Sequence, residues 1–137
     1  MVTKLILASH GELAKGMKHS AQMIVGSLVD QVEVYCLYPG MNPEDYAEEM
    51  RSRIEADDEQ YLFVCDILGG SVHTALSQLL DNERVSICSG MNLNLILSLV
   101  IGVQTELDNN AINNILEEAK SGITFRTCIE VEESEDF

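Results

Sequence analysis

Short apolar runs alternate along this sequence with longer segments that have one apolar face. The runs are rich in β-branched and aromatic residues and stop at glycine, proline or polar turns, which is typical of strands. They predict strands at Val2–Ser9, Gln31–Leu37, Gln60–Cys65, Arg84–Cys88 and Ile123–Ile129. The third run, QYLFVC, is apolar after its first residue, as expected of a strand that is buried on both faces of a sheet.

The segments between these runs have the spacing of helices. Apolar residues recur every three or four positions, and capping residues or glycines stand at the ends. The predicted helices are Gly11–Gly26, one capped by Asn42 that begins at Pro43, and one capped by Ser71 that runs to about Leu80. Two more are predicted at Leu93–Ile101, after a turn and cap at Ser89–Asn92, and from the cap Asp108 to Gly122. The apolar face of the first helix is predicted to comprise Leu13, Met17, Ala21, Ile24 and Val25.

Strands and helices in this order predict an α/β fold with an open, mainly parallel sheet and helices on both faces. The 137 residues fit one domain, residues 1–137, whose last eight residues, Glu130–Phe137, form a tail with five acids. In such sheets ligands bind at the carboxyl ends of the strands, where the strand order reverses. With the order 2-1-3-4, that crevice lies between strands one and three, which end at His10 and Asp66.

The charge and hydropathy of the chain exclude several classes of partner. Eight Lys and Arg residues against 23 Asp and Glu give a net charge of −15, which disfavours nucleic acid and anionic membrane surfaces. The longest apolar stretch, Leu93–Val103, is too short for a membrane span of about 20 residues. The run Leu5–Ala8 is likewise shorter than the apolar core of a signal peptide, about 7–15 residues. We therefore expect a cytoplasmic protein.

The cysteines give no sign of a metal or redox site. Cys36, Cys65, Cys88 and Cys128 lie in or at the end of apolar runs, and no pair has Cys-x-x-Cys spacing. Zinc and thioredoxin-type sites are therefore disfavoured. We expect buried, reduced thiols that pack in the core.

His10 and Asp66 together suggest a chemistry. A carboxylate across the crevice can bind one nitrogen of the ring, fix its tautomer and leave the other nitrogen free to attack. Gly11 and the run Gly69-Gly70-Ser71 offer backbone donors for an anion beside the same point. These features suit phosphoryl transfer through a phosphohistidine, and without a Walker pattern no nucleotide donor is indicated. On pattern alone, an exposed loop histidine and an ordinary capped turn explain the same residues.

The other two histidines have plainer interpretations. His19 shares a helix face with Lys15, Lys18 and Gln22, which predicts a solvated surface, with a docking patch as the alternative. His73 follows closely behind Ser71 and is predicted to be a half-buried helix residue. A second imidazole lining the anion site is the alternative.

Three motifs at the ends of three strands resemble one known family. They are Ser9–Gly16 (SHGELAKG) with Ser20–Gly26, Asp66–Ser71 (DILGGS) and Ser89–Leu93 (SGMNL). In order and spacing they resemble the EIIA component of the mannose/fructose/sorbose-type phosphoenolpyruvate-dependent sugar phosphotransferase system, over essentially the whole chain. The family usually has proline after Gly-Gly-Ser and after Asn-Leu, whereas Val72-His73 and Asn94 stand at these positions.

The resemblance implies a function. A single EIIA-like phosphocarrier domain would accept phosphate from phospho-HPr on His10 and pass it to a separate EIIB. Asp66 would orient His10, and Ser71 would belong to the phosphate-binding loop. The family is homodimeric, and Ile123–Ile129 would be the C-terminal edge strand, antiparallel and exchanged between the subunits. No metal or organic cofactor is implied, and the membrane is reached only indirectly, through the permease.

Three alternatives stay open at this point. A similar domain donates phosphate to dihydroxyacetone kinase instead of a sugar permease. A non-catalytic regulatory module on the same fold is the second, because fold does not fix function. The third is a metal hydrolase that uses His10, Asp66 and His73, for which a further convincing ligand is lacking.

Overall fold

The computed structural model describes residues 3–128, so the predicted acidic tail lies outside the described residues. The strands are β1 Thr3–His10, β2 Glu33–Leu37, β3 Gln60–Cys65 and β4 Val85–Cys88. They form one sheet in the order β2-β1-β3-β4, and every pairing is parallel. The predicted sheet and its strand order are thereby confirmed.

The helices lie between and after the strands, close to the predicted positions. They are α1 Leu13–Val25, α2 Pro43–Glu55, α3 Ser71–Ser77, α4 Leu93–Gly102 and α5 Asn109–Ser121. Short 3-10 turns at Gly26–Val29 and Gln78–Asp81 follow α1 and α3. The predicted caps of α2, α4 and α5 are confirmed, since the side chains of Asn42, Asn92 and Asp108 each accept a backbone N–H of the first helical turn.

Both faces of the sheet are covered. Alternate side chains along a strand point to opposite faces, so β1 and β3 contribute to two cores. Leu5, Leu7, Leu62 and Val64 pack in the core that includes α1 and α4. The core on the other face includes α2 and α3 and receives Ile6, Ala8, Tyr61, Phe63 and Cys65. Within the described residues, no helix is long and apolar enough to cross a bilayer.

The inward face of α1 differs from the prediction. Ala21 is buried and Met17 and Val25 pack against the core, as predicted, whereas Leu13 and Ile24 are exposed and Ala14 is buried instead. The turn between β1 and α1 causes the difference, because the buried Ser9 hydroxyl accepts the Ala14 N–H at 2.8 Å and so holds Ala14 inward. This side-chain hydrogen bond helps to set the rotation of the helix, together with the packing of Met17 and Val25.

The described part of the predicted strand Ile123–Ile129 does not form a strand in the single chain. Residues 123–127 have no regular secondary structure, the side chains of Ile123 and Phe125 are exposed, and Ile129 lies outside the described residues. A strand is defined by a hydrogen-bonded neighbouring strand, and the sheet described within residues 3–128 consists of β1 to β4.

The cysteines also differ in exposure between the sheet and the segment after α5. All four are free; Cys65 and Cys88 are buried as predicted and Cys36 is half-buried. Cys128 is exposed, so the prediction of a buried thiol is wrong there. Cys128 lies in the exposed segment after α5, which is not a member of the described four-stranded sheet.

Candidate active site

His10 and Asp66 meet at the carboxyl edge of the sheet. His10 is the last residue of β1, and Asp66 directly follows β3, which pairs with β1 as far as Ala8 and Cys65. The chain turns away from β1 at Gly11, whose φ of +55° is a conformation that favours glycine. The Gly11 N–H donates to the Leu37 carbonyl at 2.8 Å, so this glycine shapes the turn and ties it to β2.

A serine that sequence reasoning did not single out fixes this turn. Ser9 is fully buried, and its hydroxyl accepts the Ala14 N–H while donating to the Gly11 carbonyl at 3.2 Å. Both ends of the turn that follows His10 are therefore held by one side chain. The sequence feature that could have identified Ser9 is a polar residue at the end of an apolar strand, directly before the histidine.

The Asp66 carboxylate clamps His10 at two points. Its Oδ2 accepts both the backbone N–H and the ring Nδ1 of His10, each at 2.8 Å, and Oδ1 accepts the Ile67 N–H at 2.9 Å. Because an ionised carboxylate only accepts hydrogen bonds, the ring proton of neutral His10 lies on Nδ1. The opposite nitrogen, Nε2, then carries the free lone pair that a nucleophile needs.

The ionised state of Asp66 is stabilised by the same contacts. Burial alone raises the pKa of this carboxyl, whose side chain is only 10% exposed. The hydrogen bonds from the His10 backbone and ring, the His10 charge and the Ile67 N–H outweigh burial, and the pKa of Asp66 is lowered overall. The group that orients the ring therefore stays charged across the physiological pH range.

Ser71 lies against the free nitrogen of His10. Its hydroxyl is 3.1 Å from Nε2 and donates to that lone pair. The predicted helix cap is wrong at this residue, since Gly70 is the cap of α3 and Ser71 is its first helical residue. The hydroxyl is committed to His10 across the fold.

The two glycines before Ser71 have separate reasons to be glycine. Gly69 has a φ of +79°, a conformation that a side chain disfavours. A Cβ at Gly70 would lie 2.7 Å from Cγ2 of Ile67 and 3.3 Å from Cε1 of His10. Gly70 therefore allows the backbone to approach the imidazole edge-on.

The site is open and has an apolar rim, a name used here for Leu13, Tyr38, Met41, Ile67 and Leu68. All five side chains are exposed, Leu68 by 73%, and the His10 side chain itself is 48% exposed. Two cavities of about 500 and 640 Å³ lie elsewhere, and neither is lined by His10 or Asp66. A reactive side chain on an open apolar surface favours contact with a protein over enclosure of a small molecule.

The other histidines lie where the plainer interpretation placed them. His19 is exposed on α1 beside the exposed Lys15, while Lys18 on the same face is half-buried. His73 is a half-buried residue of α3, and its Nδ1 accepts the Gly69 N–H at 3.2 Å. Within residues 3–128, no three His, Cys, Asp or Glu side chains form a group that could hold a metal ion.

The fold and the His10–Asp66 pair define an α/β protein with an oriented histidine at the switch point of a parallel sheet. Residues 4–120 match the family model described as the fructose IIA component of the phosphotransferase system, EIIA-man. The chain therefore belongs to this family of IIA components.

Solved structures agree with this assignment. A protein described as a phosphoenolpyruvate-dependent sugar phosphotransferase system permease from Klebsiella pneumoniae is 29% identical, with a TM-score of 0.82 and 91% of each chain covered. A IIA protein associated with the fucose utilization operon of Streptococcus pneumoniae is 26% identical, with a TM-score of 0.77 and coverage of 91% of this chain and 93% of that one. The mannose/sorbose-specific IIA subunit of Enterococcus faecalis shares the fold, with a TM-score of 0.79, 22% identity and coverage of 93% and 96%.

Proposed function

We propose that this chain is a phosphoryl carrier of a sugar phosphotransferase system. His10 accepts a phosphoryl group from phospho-HPr and passes it to a separate EIIB for sugar uptake. The observation that carries the proposal is the His10 ring, held through Nδ1 by Asp66 at 2.8 Å with Nε2 3.1 Å from the Ser71 hydroxyl. Family membership supports a role in this system.

The chemistry needs no nucleotide and no metal ion from this chain. The Nε2 lone pair attacks phosphorus on the donor histidine; a new N–P bond forms as the donor's N–P bond breaks, and the donor nitrogen keeps the electron pair. The His10 ring becomes cationic as it is phosphorylated, and the Asp66 carboxylate at Nδ1 stabilises that charge. The reverse sequence of bonds transfers the group to EIIB.

Ser71 and the glycines form the phosphate-binding part of this proposal. In the resting state Ser71 donates to Nε2, and on transfer its hydroxyl is free to donate to a phosphoryl oxygen instead. The N–H groups of Gly11, Gly69 and Gly70 already donate to Leu37, His73 and Ile67. These glycines act by shaping the backbone around the phosphoryl group.

Protein partners fit the open site. The apolar rim surrounds an exposed histidine, so a docked HPr or EIIB would cover both the rim and the reacting atoms. A homodimer is part of the proposal, with the segment from Ile123 exchanged between subunits. The exposure of Ile123 and Phe125 in the single chain supports this arrangement, because a partner's sheet edge would bury them.

The direct test is incubation with phosphoenolpyruvate, Enzyme I and HPr, followed by intact mass measurement under alkaline conditions. We expect a gain of one phosphoryl group that mild acid removes. His10→Ala should abolish it, and the matched control His19→Ala should retain it, because His19 is exposed on α1 outside the Asp66 pair. Phosphorylation of the His10→Ala variant would refute the assignment of His10 as the phosphoryl acceptor.

The downstream partner is decided by the same phosphoprotein. Chase with EIIB should discharge it, whereas discharge only by dihydroxyacetone kinase subunits would identify the alternative donor role. A folded protein that takes no phosphate beside an active control EIIA would leave the regulatory module as the function.

A further inference from the structure

The loop before α3 contains a side-chain contact that the proposed function does not use. The Gly69 N–H donates to Nδ1 of His73, one turn into the helix, at 3.2 Å. His73 stands in the pair Val72-His73, where the resemblance to the family led us to expect proline after Gly-Gly-Ser. Val72 is fully buried, so the polar contact to the loop comes from His73.

The contact is made at the tightest part of the loop. The Gly70 N–H donates to the Ile67 carbonyl at 3.2 Å, and Gly69 has a φ of +79°, which together form a turn with glycine at its third position. The Gly70 carbonyl accepts the Thr74 N–H at 2.8 Å, which joins the turn to the helix. His73 adds a second link between the turn and the same helix.

The turn from Ile67 to Gly70 also determines how Gly70 and Ser71 lie against His10. Gly70 approaches the edge of the imidazole so closely that a Cβ there would be 3.3 Å from Cε1. Ser71, the next residue, has its hydroxyl 3.1 Å from Nε2. A rotation of the Gly69 peptide would move both groups relative to the atom that accepts phosphate.

We propose that His73 is a positioning residue for the His10 chemistry: its neutral imidazole accepts the Gly69 N–H and holds Gly70 and Ser71 against the His10 ring. This inference rests on the proposed function. In this proposal His73 acts through its contact with the loop. Nδ1 accepts only when the ring proton of His73 lies on Nε2.

The chain offers a matched pair of variants. His73→Asn places an amide oxygen near the position of Nδ1 and preserves the acceptor, while His73→Leu keeps a side chain of similar bulk without any acceptor. The amide proton resonance of Gly69 in a 15N-labelled sample reports the hydrogen bond without any phosphoryl donor. Single-turnover phosphorylation by phospho-HPr over a concentration series reports the maximal rate and the half-saturating concentration separately.

We expect His73→Leu to shift the Gly69 amide resonance. The maximal rate should fall by about two- to tenfold, which corresponds to the net contribution of one hydrogen bond. The half-saturating concentration should change less than the maximal rate, because Leu13, Tyr38 and Met41 of the apolar rim lie outside this turn. His73→Asn should restore both the resonance and the rate. A merely structural role would affect unfolding without this rescue or this separation of the two kinetic constants.

Each other outcome is decisive. A Gly69 resonance that does not move in His73→Leu would show that the hydrogen bond is absent, and a wild-type rate in that variant would show that it is irrelevant. An equal loss in both variants would exclude the acceptor as the cause. Failure of the wild-type chain to take phosphate on His10 would instead overturn the proposed function, and this inference with it.

Discussion

The Asp66 carboxylate is the group whose removal tests the site most sharply, because its two oxygens accept three N–H groups. Oδ2 accepts two donors of His10, and Oδ1 accepts the Ile67 N–H. Asp66→Asn keeps the shape of the side chain but replaces one oxygen by an NH2 group. In either orientation of the amide, this NH2 faces at least one former donor, so one or two hydrogen bonds are lost.

The size of the effect follows from those contacts. A hydrogen bond to a charged group contributes about 1.5–3 kcal/mol. When the NH2 faces His10, it also favours the ring tautomer that accepts at Nδ1 and carries its proton on Nε2, which has no lone pair for attack. Expressed as a barrier, about 1.5–3 kcal/mol slows phosphoryl transfer by roughly tenfold to 150-fold.

The assay is single-turnover transfer from phospho-HPr, combined with 15N NMR of the His10 ring, which distinguishes the two tautomers. Asp81→Asn is the control, because Asp81 is an exposed carboxylate paired with Arg51 away from the site. We expect the control to transfer at the wild-type rate. Unaltered transfer in Asp66→Asn would refute the orienting role, and a slowed rate with an unchanged tautomer and folded structure would confine the effect to charge.

Three further predictions concern the supports of the site. Ser9→Ala should lower the free energy of unfolding by about 1–3 kcal/mol in urea titrations, because it leaves the Ala14 N–H buried without its acceptor. Ser20→Ala on the exposed face of α1 is the control. Equal stability of the two variants would contradict the role of Ser9. Gly70→Ala should slow transfer to His10 while the protein stays folded, whereas Gly16→Ala, where a Cβ meets nothing within 4 Å, should not; equal rates in both variants would show that the close approach is unnecessary. Because the pKa of Asp66 is lowered on folding, its contribution to stability is fully present above the unfolded value of about 3.9 and is lost as pH falls through the lower folded value. The unfolding free energy measured from about pH 5 downwards should therefore fall less steeply in Asp66→Asn than in wild type, and parallel curves would exclude this linkage.

The parts of the fold that the sequence predicted are those that depend on local pattern and on general rules of topology. The apolar period identified β1 and β3, and the reversal of strand order placed the crevice between their ends. His10 and Asp66 could be brought together on that basis alone, although they are 56 positions apart. Their hydrogen bond follows from two adjacent parallel strands.

The sequence predictions fail where a contact between distant parts of the chain determines the structure. The rotation of α1 is set in part by the Ser9 hydroxyl, which periodicity cannot register, and Leu13 is exposed. Serine is a common helix-capping residue, yet the Ser71 hydroxyl bonds to His10, 61 positions earlier in the chain. The apolar run after Gly122 has strand character, but its pairing is not decided within the described single chain.

The place of His10 on an interior strand has a consequence for hydrogen exchange. β1 pairs with β2 on one side and with β3 on the other, and Leu5–Ser9 are all buried. Amides in such a strand exchange with solvent mainly through global unfolding, whereas exposed loops open by local fluctuations. The strand that carries His10 should therefore stay in place until the whole domain melts, so that on heating any earlier loss of phosphate acceptance reports the local opening of the exposed loop Asp66–Ser71.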